Sequence, residues 1–171
     1  MKQTVIRYGL YAAAVIVIIF LASWIALKQL ALDYGTTEIT GYAGIVLSLL
    51  FVFFGMRYYR DHVNGGRLTF GRGLKVGLLI VLIPAFAIAL VDILYVKFFD
   101  PQFYEKYGAY QLNKLKATVP AGQYEAAATN LKTQMEMFSN PLVTFIVMFL
   151  TVFMIGLIIS VVSALMLKRN N

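Results

Sequence analysis

The chain contains no cysteine and only one histidine among its 171 residues. The absence of cysteine excludes disulfides, thiolate metal sites and cysteine nucleophiles. One histidine, His62, beside one acid, Asp61, does not make a zinc or iron site, because such sites need several converging nitrogen, sulfur or carboxylate ligands. We therefore expect no metal ion and no other cofactor, and we interpret His62 as a solvated loop residue.

Charged residues are also scarce. They make up 13% of the chain, whereas a soluble domain carries about a quarter, and hydrophobic residues make up 60% with a mean hydropathy of +0.76. A water-soluble fold could not bury so much apolar surface. The composition indicates an integral membrane protein, and the length suits a single membrane domain spanning residues 1–171.

Four apolar runs are long enough to cross a bilayer, at residues 8–27, 39–56, 76–96 and 141–167. Twenty helical residues cover the hydrocarbon core of about 30 Å, and a spanning helix satisfies its own backbone hydrogen bonds. The first run is followed by Lys28 and Gln29 rather than a small-residue cleavage site, so we interpret it as an uncleaved span. Asn140 as N-cap and Pro141 as first residue mark the start of the fourth. The predicted fold is an all-α polytopic membrane protein with four transmembrane helices.

Lysine and arginine are divided unequally between the two sides of such a bundle. Two near the N-terminus, five in the loop from Arg57 to Lys75 and two at the C-terminus give nine on one side. The other side has six, together with six acids. The positive-inside rule makes the side with nine cytoplasmic. We therefore expect both termini to lie in the cytoplasm.

The third loop, between the third and fourth runs, is polar and has its own helical signals. Asp100 and Pro101 predict the start of a helix that runs to about Thr118, and a second helix is predicted from about Gln123 to Phe138. Residues 101–138 thus form a predicted extracytoplasmic helical hairpin. Its apolar stripes favour packing of arm against arm, and the alternative is that they lie on the outer leaflet. The stripe residues are Phe103, Tyr104, Tyr107, Leu112 and Leu115 in the first arm, and Tyr124, Ala128, Leu131, Met135 and Phe138 in the second.

The segment RYYRDHVNGGRLTFGRGLKVG, which runs from Arg57 to Gly77, resembles the domain of unknown function 4199 family of small bacterial membrane proteins. The resemblance covers nearly the whole chain, including the DPQFYEKY element after the third run and the NPL start of the fourth. It implies a four-helix protein of the bacterial inner membrane and brings no activity with it. Asp92 departs from the pattern, because an aromatic or apolar residue is expected in its region.

The loop from Arg57 to Lys75, here named the basic loop, is open to two interpretations. Its cations either recognise anionic headgroups or an acidic partner, or serve only to set the membrane topology. Asn64, Gly65 and Gly66 predict a tight turn, and Asp61 is expected to pair with Arg57 on a helical extension. The loop lacks the GxxxxGK[ST] order of a phosphate-binding loop. The candidate contact residues are Arg57, Arg60, Arg67, Arg72 and Lys75.

Asp92 is the only acid inside a predicted span. A charge at mid-bilayer costs about 3 kcal/mol, which makes such an acid a candidate functional site. It lies about 24 Å along its helix from Val76, however, near the outer interface, where Lys97 is an expected partner. Both an interfacial anchor and an ion or proton site are therefore open. Pro84 in the same span predicts a kink.

Small residues spaced four apart predict close contacts between the helices, or between two copies of the chain. These positions are Gly73 and Gly77, Ala85 and Ala89, Ala22 and Ala26, Gly44 and Ser48, and Gly156, Ser160 and Ala164.

No arrangement of residues in the sequence specifies a reaction or a small-molecule ligand. The leading hypothesis is a non-enzymatic structural or accessory protein that engages the lipid bilayer, a protein partner or a second copy of itself. Nucleic acid is not an expected partner, because the excess positive charge lies on one side of the membrane. The alternative is a small oligomeric transporter or channel that uses Asp92 and the Pro84 kink. An intramembrane enzyme is disfavoured, since it would need several converging polar groups at depth.

The absence of cysteine makes the predicted topology directly testable. In intact spheroplasts, an Ala121→Cys variant should react with a membrane-impermeant thiol reagent, because residue 121 lies in the extracytoplasmic hairpin. An Asn64→Cys variant should stay unlabelled until the cells are opened. Labelling in the opposite order would invert the topology.

Overall fold

The structure, a computed structural model, describes residues 1–29 and 33–169, and this part of the chain contains six α-helices. A π-helical turn, Tyr59–Val63, extends the second of them. The expectation of an all-helical chain is confirmed. The helices are α1 Lys2–Gln29, α2 Tyr34–Tyr58, α3 Phe70–Phe98, α4 Phe103–Thr118, α5 Ala121–Phe138 and α6 Pro141–Leu167.

The four longest helices, α1, α2, α3 and α6, are long and apolar enough to cross a membrane. All but α6 extend beyond the apolar run that predicts them, because backbone hydrogen bonding continues into the polar flanks. The start of α6 is as predicted. The Asn140 Oδ1 atom accepts a hydrogen bond of 3.0 Å from the backbone N–H of Leu142, as an N-cap does. Helix α3 continues through the buried Pro84, and the kink there stays a prediction.

The chain divides into two compact units. The first consists of the described residues of Met1–Ile88 and Met148–Asn171, and the second of Ala89–Val147. The sequence predicted a single membrane domain. That prediction depends on how the two units are arranged relative to each other, so it stays a prediction.

In the first unit, glycines bring the long helices together. A Cβ atom added to Gly77 of α3 would lie 2.8 Å from Ser160 Oγ of α6, and one added to Gly73 would lie 3.2 Å from the Cβ of Ala164. On α2, a Cβ added to Gly44 would lie 2.6 Å from Cγ2 of Ile19 on α1. The predicted small-residue contacts are thus confirmed at these positions, where the missing side chain lets the backbones approach closely.

In the second unit, α4 and α5 form the two arms of the polar hairpin. The Tyr104 ring stacks on that of Phe138 with 6.2 Å between ring centroids, and a Cβ added to Gly108 would lie 3.4 Å from Cγ of Met135. The arms therefore pack against each other, as predicted.

Helix α4 begins two residues later than the Asp100–Pro101 signal predicts. The Asp100 carboxylate accepts from Lys106 Nζ at 2.9 Å, and its backbone carbonyl accepts from the Phe103 N–H at 2.9 Å. Pro101 and Gln102 consequently form a turn, and the first helical residue is Phe103. The side chain that was expected to begin the helix is engaged in an ion pair instead.

Gly156→Ala should destabilise the first unit. The added Cβ would overlap with the side chain of Val81, and valine has few rotamers with which to yield. We expect the free energy of unfolding in detergent to fall by about 1–3 kcal/mol, a typical cost of overpacking. Gly41→Ala is the matched control, because no heavy atom lies within 4 Å of an added Cβ and alanine favours the helix. Equal losses in the two variants would contradict the packing described here.

Candidate functional site

The basic loop is built by the π-helical turn and a tight turn that follows it. The backbone N–H of Asn64 donates to the Tyr59 carbonyl at 2.9 Å, which is the hydrogen bond of a π-helical turn. Gly65 and Gly66 then have φ angles of +62° and +78°. The predicted turn at Asn64–Gly66 is therefore confirmed. Glycine is needed at both positions because residues with a side chain rarely adopt this left-handed conformation.

Arg60 and Asp61 form the best-defined ion pair of the loop. The Arg60 Nε and Nη2 atoms donate to the two carboxylate oxygens of Asp61, at 2.6 and 3.1 Å. The expected contact with Arg57 is present only at 3.9 Å, so Arg60 is the principal partner. Arg60 also donates from Nη1 to the Leu167 carbonyl at 3.5 Å, and its side chain is only 18% exposed. Of the five candidate cations, Arg60 therefore has a structural role.

A backbone bridge joins the basic loop to the end of the chain beyond α6. Leu68 and Arg169 exchange two N–H···O hydrogen bonds, each of 2.9 Å. The motifs of the loop did not predict this bridge. The one available signal was Leu68 itself, a large apolar residue within a polar loop, which is fully buried in the structure. Because of the bridge, Lys168 and Arg169 lie beside the basic loop, and both are exposed.

The other four candidate cations of the loop, Arg57, Arg67, Arg72 and Lys75, are exposed. Arg72 donates from Nη1 to the Asn64 side chain at 3.0 Å, which braces the turn. Asp61 is the only acid of the loop, and Arg60 already neutralises it. The loop and the chain end thus present exposed guanidinium and ammonium groups that can bind anions such as phosphate.

His62 is exposed, as predicted, and its ring stacks on Tyr58 with 4.5 Å between centroids. Within residues 1–29 and 33–169, no group of three histidine, cysteine or acidic side chains is placed to hold a metal ion.

Asp92 in the second unit is the other candidate position, and its side chain is buried. The residue is 7% exposed, and no described residue makes an ion pair with it. The expected partnership with Lys97 is wrong. Lys97 Nζ lies over the ring of Phe98 instead, 5.6 Å from its centroid, and five residues along a helix separate two side chains by more than a third of a turn.

Two hydroxyl groups from α4 and α6 lie in the same unit. Tyr104 donates to Thr144 Oγ1 at 3.3 Å. Thr144 in turn donates to the Phe138 carbonyl at 2.8 Å. Burial raises the pKa of Tyr104 to about 12, so the phenol keeps its proton at physiological pH. The sequence offered no sign of this chain, because it joins residues forty positions apart.

The long helices and the exposed cations describe a small helical protein with four segments able to cross a membrane. The comparison with protein families then identifies it more closely. The chain belongs to the family described as protein of unknown function (DUF4199), whose model matches residues 7–169. The comparisons with curated proteins and with solved structures found no match.

Arg60→Gln should loosen the bridge between the basic loop and the chain end. The substitution removes the hydrogen bonds from Arg60 to Asp61 and Leu167, and hydrogen bonds of charged groups contribute about 1.5–3 kcal/mol. We expect hydrogen exchange at the Leu68 and Arg169 amides to accelerate by roughly tenfold. Arg57→Gln removes the same charge from an exposed side chain and should leave both amides unaffected. Equal acceleration in the two variants would assign the effect to net charge rather than to these contacts.

Proposed function

We propose that this protein is a non-enzymatic, multi-pass protein of the bacterial inner membrane, and that its basic loop binds anionic lipid headgroups. The observation that carries the proposal is the group of exposed cations that the Leu68–Arg169 bridge assembles. Arg67, Lys168 and Arg169 lie together there, without an unpaired acid in the described loop.

The surface of the long helices supports a lipid environment. Of the most apolar window of α6, only 17% of the residues are buried within the protein. Large apolar side chains along the long helices are also exposed, and such an area is unfavourable in water. Hydrocarbon is the solvent that matches it. Examples are Ile18 at 64% exposure, Ile39 at 73% and Ile158 at 63%.

The charge distribution supports an orientation with both termini in the cytoplasm and the polar hairpin outside. Nine lysines and arginines lie at the two termini and in the basic loop. The bridge from Leu68 to Arg169 adds a structural argument, because it requires the loop and the chain end to lie on the same side. The cytoplasmic leaflet carries anionic lipids, so this side is also where such cations find phosphate groups.

Lipid headgroups fit the cations better than an acidic protein partner does. The group adjoins the ends of α2, α3 and α6, which places it at the level of the headgroups if these helices span the bilayer. Each lysine or arginine near an anionic surface contributes about 1 kcal/mol. A lipid headgroup can bind to cations without a shaped protein surface around them, whereas a protein partner needs such a surface.

A small oligomeric transporter or channel is the second candidate, and one observation favours it. Asp92 is buried and has no ion-pair partner among the described residues, whereas an interfacial anchor would expose its carboxyl group. Transport would require this carboxyl to exchange a proton or an ion with water.

The headgroup proposal predicts a preference for anionic lipid that depends on the assembled cations. The delipidated protein in neutral detergent should bind phosphatidylglycerol more tightly than phosphatidylcholine, as measured by native mass spectrometry. The double variant Arg67→Gln with Arg169→Gln should weaken phosphatidylglycerol binding by roughly thirtyfold, because two contacts of about 1 kcal/mol are lost.

The matched control is Lys114→Gln with Lys116→Gln, which removes the same charge from exposed positions of α4. This control should bind phosphatidylglycerol like the unaltered protein. The proposal fails if both lipids bind equally, or if the two double variants weaken binding to the same extent.

A further inference from the structure

Three tyrosines surround the side chain of Arg7, two from α1 and one from the end of α2. The Cζ atom of Arg7 lies 5.9 Å from the ring centroid of Tyr8, 5.7 Å from that of Tyr11 and 5.6 Å from that of Tyr58. Each of these distances allows a cation–π attraction. The four residues belong to the first unit and are here named the Arg7 cluster.

The contact between α1 and α2 holds the rings of the cluster in place. A Cβ atom added to Gly55 of α2 would lie 3.0 Å from the Cβ of Tyr8, so the missing side chain makes room for this tyrosine. The ring of Tyr8 contacts that of Tyr58, with 5.7 Å between centroids, and Tyr58 stacks on His62 at 4.5 Å. The positions of the rings therefore follow from the helix packing.

One edge of the Arg7 guanidinium group is fixed by a hydrogen bond. The Nε atom donates to the hydroxyl oxygen of Tyr11 at 3.2 Å. The ion pairs in the described part of the chain belong to Asp61 and Asp100, and none of them involves Arg7. The N–H groups on Nη1 and Nη2 donate to no described residue, and the side chain is exposed. Arg7 therefore presents an oriented and accessible fork of donors whose charge no described acid neutralises.

A phosphate group is an anion that fits this fork. The two Nη groups can donate to two phosphate oxygens at once. The Tyr11 hydroxyl, whose oxygen accepts from Arg7, keeps its own proton for a third hydrogen bond, and Tyr11 is 44% exposed. Because the rings and the Tyr11 hydroxyl already orient the guanidinium group, binding would cost little further ordering of the side chain.

The position of Arg7 favours a membrane lipid as the source of the phosphate. Arg7 directly precedes the uncharged run of residues 8–27, and α1 is long and apolar enough to cross a membrane. If α1 spans the bilayer, the guanidinium group lies at the level of the headgroups, where tyrosines are also enriched.

We propose that the Arg7 cluster binds the phosphodiester group of one lipid molecule, and that Arg7 and Tyr11 hold the phosphate. This site differs from the basic loop in its residues and in what it recognises. The loop attracts net negative charge, whereas the fork of Arg7 recognises the phosphate itself, which zwitterionic phospholipids also carry. Either proposal can therefore fail without the other.

Arg7→Lys separates the fork from the charge, because lysine keeps the charge but donates from a single nitrogen atom. The protein in neutral detergent is titrated with phosphatidylcholine, which has no net charge, and binding of the first lipid is measured by native mass spectrometry. We expect Arg7→Lys to weaken this binding by roughly tenfold, the effect of one lost charge-assisted hydrogen bond. The matched control is Arg57→Lys, an exposed cation beside Tyr58, which should bind like the unaltered protein.

Tyr11→Phe keeps the ring and removes the hydroxyl group, so it should weaken phosphatidylcholine binding by roughly fivefold. Tyr42→Phe removes an exposed hydroxyl group from the opposite half of α2 and should have no effect. Diacylglycerol with the same acyl chains has no phosphate. It should bind equally to Arg7→Lys and to the unaltered protein, which also shows that the variant is folded.

Inorganic phosphate separates a lipid from a soluble ligand. At the same concentration as the lipid it should not displace phosphatidylcholine, because it lacks the acyl chains. The proposal is overturned if Arg7→Lys binds phosphatidylcholine normally or if Arg57→Lys weakens binding as much. It is also overturned if diacylglycerol binding falls together with phosphatidylcholine binding, which would leave Arg7 a structural role alone, or if inorganic phosphate displaces the lipid.

Discussion

The close approach of α3 and α6 is the constraint on which the first unit depends. Gly73 lies against Ala164, Gly77 against Ser160 and Gly156 against Val81. At each pair, one partner has no side chain or a small one, so the backbones come near enough for dispersion contacts along several turns. In a lipid solvent, apolar burial would add little attraction between helices, and the fit of small residues would have to hold the helix pair together.

The same register explains the basic loop. The three contacts step by four residues along α3 and by four in the opposite direction along α6, as antiparallel helices require. Five residues before Gly73 and five after Ala164 are Leu68 and Arg169, the two residues of the backbone bridge. The bridge therefore continues the helix pairing beyond the helix ends. The cations of the loop and of the chain end lie together because the packing of two apolar helices brings them there.

Much of the fold could be predicted from local signals, and the departures have physical causes. The length and hydrophobicity of the four runs predicted the long helices, and Asn140 with Pro141 predicted the start of α6. The helix start predicted from Asp100 was wrong because the Asp100 carboxylate binds Lys106 instead of capping the helix. The capping pattern takes no account of such an ion pair. Periodicity predicted that the hairpin arms would meet. It could not predict the hydrogen bond from Arg60 to the Leu167 carbonyl, because the two residues are more than a hundred positions apart.

The basic loop and Asp92 differ in exposure to solvent, and this difference argues for different roles. Most cations of the basic loop are exposed, so their charges remain solvated. They therefore cost little free energy of folding. Asp92 is buried, and no described residue makes an ion pair with it. The sequence shows how far Asp92 lies from the end of its helix, but it does not show that the side chain is buried. Its burial is unfavourable for an interfacial anchor, whose carboxyl group would reach water.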